Sequence, residues 1–322
     1  MDNLTHSLVG WALGQTGLKR KTRKGLAALV MGANAPDIDV FFGWVPWEPL
    51  ATHRGVTHSL VVGLWVMPLV VAGFLWLLDR WQVRRGREFA SGLEMRFGWL
   101  LALAFIGCLT HPLLDWQTVY AVQLFSPFDL RWYHNDALFI IDVWVILALA
   151  VGIWLSRRRE RRGEPRWGMP ARAALIGVTT YIVFNGVLGM LAREAPTVAM
   201  PRASPDTIVA SPPPLLFWRR DVVWRQNGEI GQGRYDPLVS LATLNHISNP
   251  TPDGMNDPRA RRAAAAPVAR EYLAWSIMPV ATVTETTCGT MVRLGDARFR
   301  GVGANSLSRT VFLPTGGVGC DR

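Results

Sequence analysis

Residues 59–78 are a run of twenty without a charge, enough as a helix to cross the ~30 Å of a bilayer's hydrocarbon. Three more apolar runs follow at 98–116, 139–155 and 173–192; the second carries His111 and Asp115 near its end, and the third contains Asp142. Two shorter apolar pieces precede them, 5–18 and 25–42, the latter interrupted by Asn34, Pro36, Asp37 and Asp39. They are marginal as spans and fit a tilted or re-entrant helical hairpin. Beyond Ala192 the pattern changes. Residues 195–214 are rich in Pro, Ser and small side chains and read as a linker. Beyond them, patches at 222–224, 281–287, 291–294 and 310–313 read as strands, and 258–275 as one helix. The pattern predicts an all-α polytopic membrane helical bundle, four long spans plus an N-terminal short hairpin, over 1–194. A linker over 195–214 and a small α+β soluble domain over 215–322 complete it.

Composition agrees with a membrane protein: half the residues are hydrophobic and 15 are Trp. Despite the net charge of +10, the arginines and lysines of the apolar region fall in short blocks between its runs, so no nucleic-acid partner is expected. Lys19, Arg20, Lys21, Arg23 and Lys24 form one block. Arg80, Arg84, Arg85, Arg87 and Arg96 form the second, and Arg157, Arg158, Arg159, Arg161, Arg162 and Arg166 the third. The alternate connections, 43–58 and 117–138, hold only Arg54 and Arg131. The positive-inside rule puts the three blocks in the cytoplasm and the alternate connections outside. The start lacks the basic n-region of a secretory signal peptide.

That topology gathers chemistry. His6, Asp37, Asp39, His53, His58, His111, Asp115 and His134 all fall on the non-cytoplasmic face. Ionisable groups beside lipid are costly and mark function by default, and these side-chain types ligate zinc, with manganese or iron as alternatives. His111 and Asp115, four apart, share a helix face. His53 and His58, five apart, do not converge on one helix, so a break at Gly55 is needed. Each residue taken singly also has a plainer reading: a hydrogen-bonded His–Asp pair, an Asp helix cap, an interfacial His134 beside aromatic residues. Arg54 suits a phosphate or carboxylate, or an interface. His246 has no partner at ligand spacing. Cys108 sits inside a span, whereas an exported domain lets Cys288 and Cys320 pair; the sequence leaves open whether they do.

Four motifs occur in order over residues 1 to about 145: D-N-L-T-H-S-L-V-G, N-A-P-D-I-D, H-R-G-V-T-H-S-L and T-H-P-L-L-D-W. On them the chain resembles the YdjM family, bacterial inner-membrane proteins described as membrane-bound metal-dependent hydrolases. The order of an early His, an Asp, a His and then His-x-x-x-Asp is also distantly similar to zinc-dependent phospholipase C and S1/P1 nuclease. The matching positions are His6, Asp37 or Asp39, His53 or His58, then His111 and Asp115. That group continues with another His and a second His-x-x-x-Asp/Glu, whereas here only His134 follows, with Asp142 eight residues later. One or two metals are therefore expected rather than three.

The resulting expectation is a multi-pass inner-membrane hydrolase whose metal site and C-terminal domain face the periplasm. All eight residues are candidate ligands, with His6, His58, His111 and Asp115 foremost. Asp37, Asp39 and Arg54 are the candidate catalytic groups: an Asp to bridge metals or orient water, the Arg to meet developing negative charge. A site at headgroup depth implies membrane lipids as partners and a lipid or lipid-linked phosphate ester as substrate. The rival expectation is a non-enzymatic membrane anchor or envelope-stress binding protein with a structural metal. An ion carrier fits least, because the polar groups gather at one end.

Overall fold

Among the described residues six helices build the N-terminal region: α1 Asn3–Gln15, α2 Gly25–Asn34, α3 Gly63–Arg84, α4 Phe97–Asp115, α5 Val143–Arg161 and α6 Met169–Ala199. They belong to a computed structural model that describes residues 1–45, 47, 52–199, 205–299 and 307–314. The chain divides into two units, Met1–Val187 with Pro212–Phe217 and Leu188–Ser211 with Trp218–Arg322, the division falling within α6.

Small residues set how the first unit packs. A Cβ on Gly107 of α4 would lie 2.5 Å from the Leu29 carbonyl of α2, and one on Gly32 of α2 would lie 2.6 Å from the Ala104 carbonyl of α4. The two backbones therefore approach as only glycine permits. Gly10 lets α1 approach the same stretch of α2, its Cβ position being 2.7 Å from Leu29 O. Around this crossing, Leu29, Val71, Leu75, Leu100 and Leu103 form one buried apolar cluster; Val9, Leu114, Val145, Leu149 and Val178 form another.

Among the described residues three helices are long and apolar enough to cross a membrane: α3, α4 and Met169–Ala195 of α6. The expected span at 139–155 falls short for a local reason. Asp142 Oδ1 accepts from the amides of Trp144 and Val145, both at 3.1 Å, so α5 starts at Val143 and residues 139–141 lie outside it. Its uncharged part before Arg157 covers only about 20 Å. The expected span at 59–78 is shifted instead. Ser59 Oγ accepts from Val61 and Val62 amides, and the helix begins only at Gly63 and runs to Arg84. Helices α1 and α2, of 13 and 10 residues, are each too short to cross alone. The outward faces of the long helices are apolar, as a bilayer requires: Trp65, Leu69, Phe74 and Leu77 on α3, Ile176 and Val183 on α6.

The basic blocks meet at one end of this unit. Lys19 and Arg20 pair with Glu160 of α5 at 2.5 and 3.0 Å. Arg23 forks onto Asp79 of α3 with both bonds at 2.7 Å, and the Arg96 amide donates to Thr22 Oγ1.

Among its described residues the second unit carries two antiparallel sheets, β1-β2-β3-β4 and β5-β6-β7. Their strands are β1 Thr207–Ser211, β2 Arg220–Gln226, β3 Glu229–Tyr235, β4 His246–Pro252, β5 Pro279–Thr286, β6 Gly289–Asp296 and β7 Arg309–Pro314. Residues 195–214, read as linker, thus hold the end of α6 and β1, whose Val209 and Ala210 are buried. The helix expected over 258–275 is two, α7 Pro258–Ala264 and α8 Pro267–Trp275. Pro267 has no N–H and bars helical geometry at Ala266, so the chain breaks there. Cys288 is disulfide-bonded and Cys108 is a free, buried thiol; Cys320 lies outside the described residues.

Candidate metal centre

Beside α4, which carries His111 and Asp115, three local structures deliver the site's side chains. Asp2 caps α1, its carboxylate accepting from the Thr5 amide at 3.0 Å, which places His6 one turn into the helix. At the end of α2 the chain tightens into a 3-10 segment, Ala35–Phe41, carrying Asp37 and Asp39. The i→i+3 donor to Ala33 O would there be Pro36, which has no N–H. That carbonyl instead accepts from His111 Nδ1 at 2.6 Å. A single 3-10 turn, Val56–His58, ends at Ser59 and holds His58 off the start of α3. A Cβ at Gly63 would come 2.1 Å from Thr57 O, so only glycine lets α3 start this close behind the turn.

Four ligand atoms from three segments converge. His58 Nε2 and His111 Nε2 face each other at 3.0 Å. Asp37 Oδ1 lies 3.3 Å from each, and Asp115 Oδ2 lies 3.3 and 3.4 Å from them. All four ligand atoms are within 4.8 Å of one another. The five separations just given lie near the edge, about 3.3 Å, of a tetrahedron whose centre is about 2.0 Å from each corner, the Zn–N and Zn–O bond length, and the two carboxylate oxygens lie within 4.8 Å of each other. Each imidazole is held with Nε2 inward. Nδ1 of His111 donates to Ala33 O, and Nδ1 of His58 faces Asp39 Oδ2 at 3.0 Å, the arrangement that orients metal-ligating histidines. Neutral rings so oriented leave four acceptors pointing at one spot with no donor between them, which is what a divalent cation requires.

The other candidates surround this centre unequally. His6 is fully buried and stacks on His111 with ring centroids 3.8 Å apart. Its Nε2 is 3.4 Å from Asp115 Oδ1, and neither ring nitrogen has a hydrogen-bond partner among the described residues. Both are orphans in a buried place where polar atoms are normally satisfied. The main-chain nitrogen of Met1 also contacts Asp115 Oδ1. Asp39 is a hub: it accepts from Thr57 Oγ1 at 2.7 Å and the Arg54 amide at 2.9 Å, and meets His53 Nδ1 at 2.7 Å. His53, His58 and Asp39 also form a second group whose ligand atoms lie within 4.8 Å of one another. Arg54, at φ 66°, turns its guanidinium inward. Its Nε is 3.2 Å from Asp115 Oδ2, Nη1 donates to Thr118 Oγ1, and the group lies over the Tyr120 ring. His134 stands apart, paired with buried Asp136 at 2.8 Å, and joins neither group.

Electrostatics follow from this crowding. Burial would lower His58, but Asp115, Asp37 and Asp39 around it outweigh burial and raise it to about 10. Burial, reinforced by His111, lowers His6 to about 3. Burial would raise Asp37, yet His111 and His58 hold its carboxyl below the usual carboxylate range; His53 and His58 do the same for Asp39. Without a metal, the cluster carries its compensating proton on His58.

Thr57, Thr118 and the Ala33 carbonyl were not visible as site elements in the sequence. Only Pro36, immediately before Asp37, hinted that a nearby carbonyl would be released. The model of the YdjM inner membrane protein family matches residues 1–192. No curated protein and no solved structure matches the chain, so the likeness to phospholipase C and S1/P1 nuclease gains no support from them.

Proposed function

The chain belongs to the YdjM inner membrane protein family, and from that premise we propose that its His and Asp cluster binds one divalent metal and hydrolyses phosphate esters of lipids or lipid-linked compounds at the membrane surface. The observation that carries this reading is the convergence of Asp37, His58, His111 and Asp115, whose ligand atoms lie within 4.8 Å of one another with every His–Asp separation at 3.3–3.4 Å. Mixed nitrogen and oxygen ligation favours zinc over manganese or iron. When bound, such a metal acts as a Lewis acid that activates water and polarises the scissile bond.

The protein's own groups divide the remaining work. Asp39 holds His58 in its ligating orientation, and Arg54 holds Asp115 rather than meeting substrate directly, since its side chain is buried on that carboxylate. His53 is the half-exposed histidine of the set, its side chain 36% exposed and bonded through Nδ1 to Asp39. It carries the proton between solvent or leaving group and the site. Asp37, with a 15% exposed side chain, is the most accessible of the four ligands and the one that can give way to substrate. His6 is a reserve ligand stacked behind His111.

The cluster faces the periplasm in this reading. Support comes from the assembly of the basic blocks at the opposite end of α4, and from disulfide-bonded Cys288, which suits an oxidising compartment. Helix α5 then serves as the fourth crossing despite its short apolar part. Arg157, Arg158 and Arg159 extend their heads to the cytoplasmic interface along apolar stems.

Metal analysis of the purified protein tests the site. About one zinc per chain, lost in both His111→Ala and Asp37→Ala, is expected; unchanged metal content in both removes the site as drawn. A second reading is favoured by one observation: the cluster offers four protein ligands, the number that closes a structural zinc site. It is distinguished by function. If zinc-loaded protein leaves every lipid and phosphodiester supplied intact while chelation lowers Tm, the metal is structural and the spans anchor a binding domain.

A further inference from the structure

Asp37 and His53 do not open to bulk water alone. They line a cavity of about 580 Å³ whose other walls include Met31 of α2 and Met67, Val70 and Phe74 of α3. The volume falls in the range of small-ligand sites, and the lining is mostly apolar, with Asn3, Asn34, Asp37 and His53 as its polar side chains. We propose that this cavity receives one acyl chain of a membrane phospholipid, with the lipid's phosphate placed at Asp37 and His53. The placement of the phosphate rests on the metal-centre reading; the seating of the chain rests on the cavity alone.

Three features select a lipid chain over a water-soluble ligand. Val70 and Phe74 are about half exposed and share the α3 surface with Leu69 and Leu77, on a helix long and apolar enough to span a bilayer. A chain therefore enters from hydrocarbon into apolar walls, with no passage through water. The two methionines are unbranched and polarizable and adapt to chains of different shape. A hydrophilic phosphoester would gain nothing from these walls and would leave them without an occupant. Two of the polar groups at the cavity, Asp37 and His53, are also at the metal cluster, so an amphiphile matches both parts.

The test uses the full-length protein in phospholipid nanodiscs containing a phospholipid with a photoactivatable diazirine midway along one chain. Cross-linked peptides are quantified by mass spectrometry. Labelling is expected to concentrate on Met31, Met67 and residues 70–74 over the lipid-facing α6 residues Ile176 and Val183. Val70→Trp, which fills the cavity, should cut that labelling about tenfold. Leu69→Trp, an equal enlargement on the outward face, should leave it intact. Zinc content, measured on the same samples, reports the metal centre separately and is expected to be equal in all three proteins. If Val70→Trp fails to fold, Met67→Trp carries the same test. Labelling that is uniform over α3 and α6, or that survives filling of the cavity, overturns the proposal whatever the zinc content. Loss of zinc without loss of labelling would overturn the metal reading and the phosphate placement while leaving the chain site in place.

Discussion

At the scale of single residues, the candidate centre depends on which nitrogen of each histidine is occupied elsewhere. His111 is fixed by a backbone carbonyl and His58 by Asp39, so both present Nε2 to the same point. The raised pKa of His58 gives this arrangement a pH signature. Its folded value of about 10 lies above the ordinary imidazole value of 6.5. In the metal-free protein its imidazolium therefore stabilises the fold fully below 6.5, and that contribution is lost as pH rises through 10. A metal must displace the same proton, whereas Asp37 and Asp39 are already ionised and release none. Zinc affinity should thus rise about tenfold per pH unit between pH 6 and 8, one proton being released. Competition with a chromophoric chelator at pH 6, 7 and 8 measures it, and a flat profile would show that His58 is not a ligand. The spacing of His111 and Asp115 was readable as one helix face. The separate surroundings of Asp37 and Asp39 were not, because a 3-10 turn, unlike a strand or a helix, leaves no periodic trace in so short a segment.

At the scale of elements, the closeness of α2 and α4 positions the site. His111 reaches Ala33 O because Gly107, one turn earlier, lets the backbones touch. Gly107→Ala would put a Cβ 2.5 Å from Leu29 O, forcing the helices apart at a cost of about 1–3 kcal/mol and drawing His111 off its carbonyl. Gly98 lies on the same helix with nothing within 4 Å of its Cβ position. Gly98→Ala should be neutral or raise stability by about 0.5–1 kcal/mol. Thermal unfolding with zinc analysis of the two variants separates packing from composition; equal behaviour would mean the close crossing does not matter. The sequence displayed these glycines only as small residues in apolar runs. It likewise gave no warning that Asp142 would cap α5 and shorten that helix, since capping depends on where the preceding chain turns. The β4 segment His246–Pro252 is exposed throughout, and a strand with no buried face carries no alternation to read.

At the scale of the whole molecule, the distribution of arginine and lysine implies a direction. If the proposed topology holds, a single cysteine introduced at Arg161 is labelled by an impermeant thiol reagent only after the cells are opened. One at Leu238, 79% exposed in the second unit, is labelled in spheroplasts. Labelling of both positions from the same side would contradict an exported second unit and would require the metal face to be reassigned independently of it.

Length of apolar runs, the alternation of basic blocks and the order of the His and Asp motifs are local or cumulative properties, and the sequence alone determined them: a membrane helix region, a different C-terminal part and a concentration of metal-ligating side chains. Which of those side chains meet was decided only by the tertiary structure. Asp37, His58, His111 and Asp115 come from segments far apart in the chain. Their distances are set by glycine contacts, by a proline that releases one carbonyl and by two 3-10 turns. His134 carries the same chemistry, yet its loop places it beside Asp136 instead. Hydrophobicity adds along the chain and can be read from it, whereas coordination needs sub-ångström convergence in three dimensions.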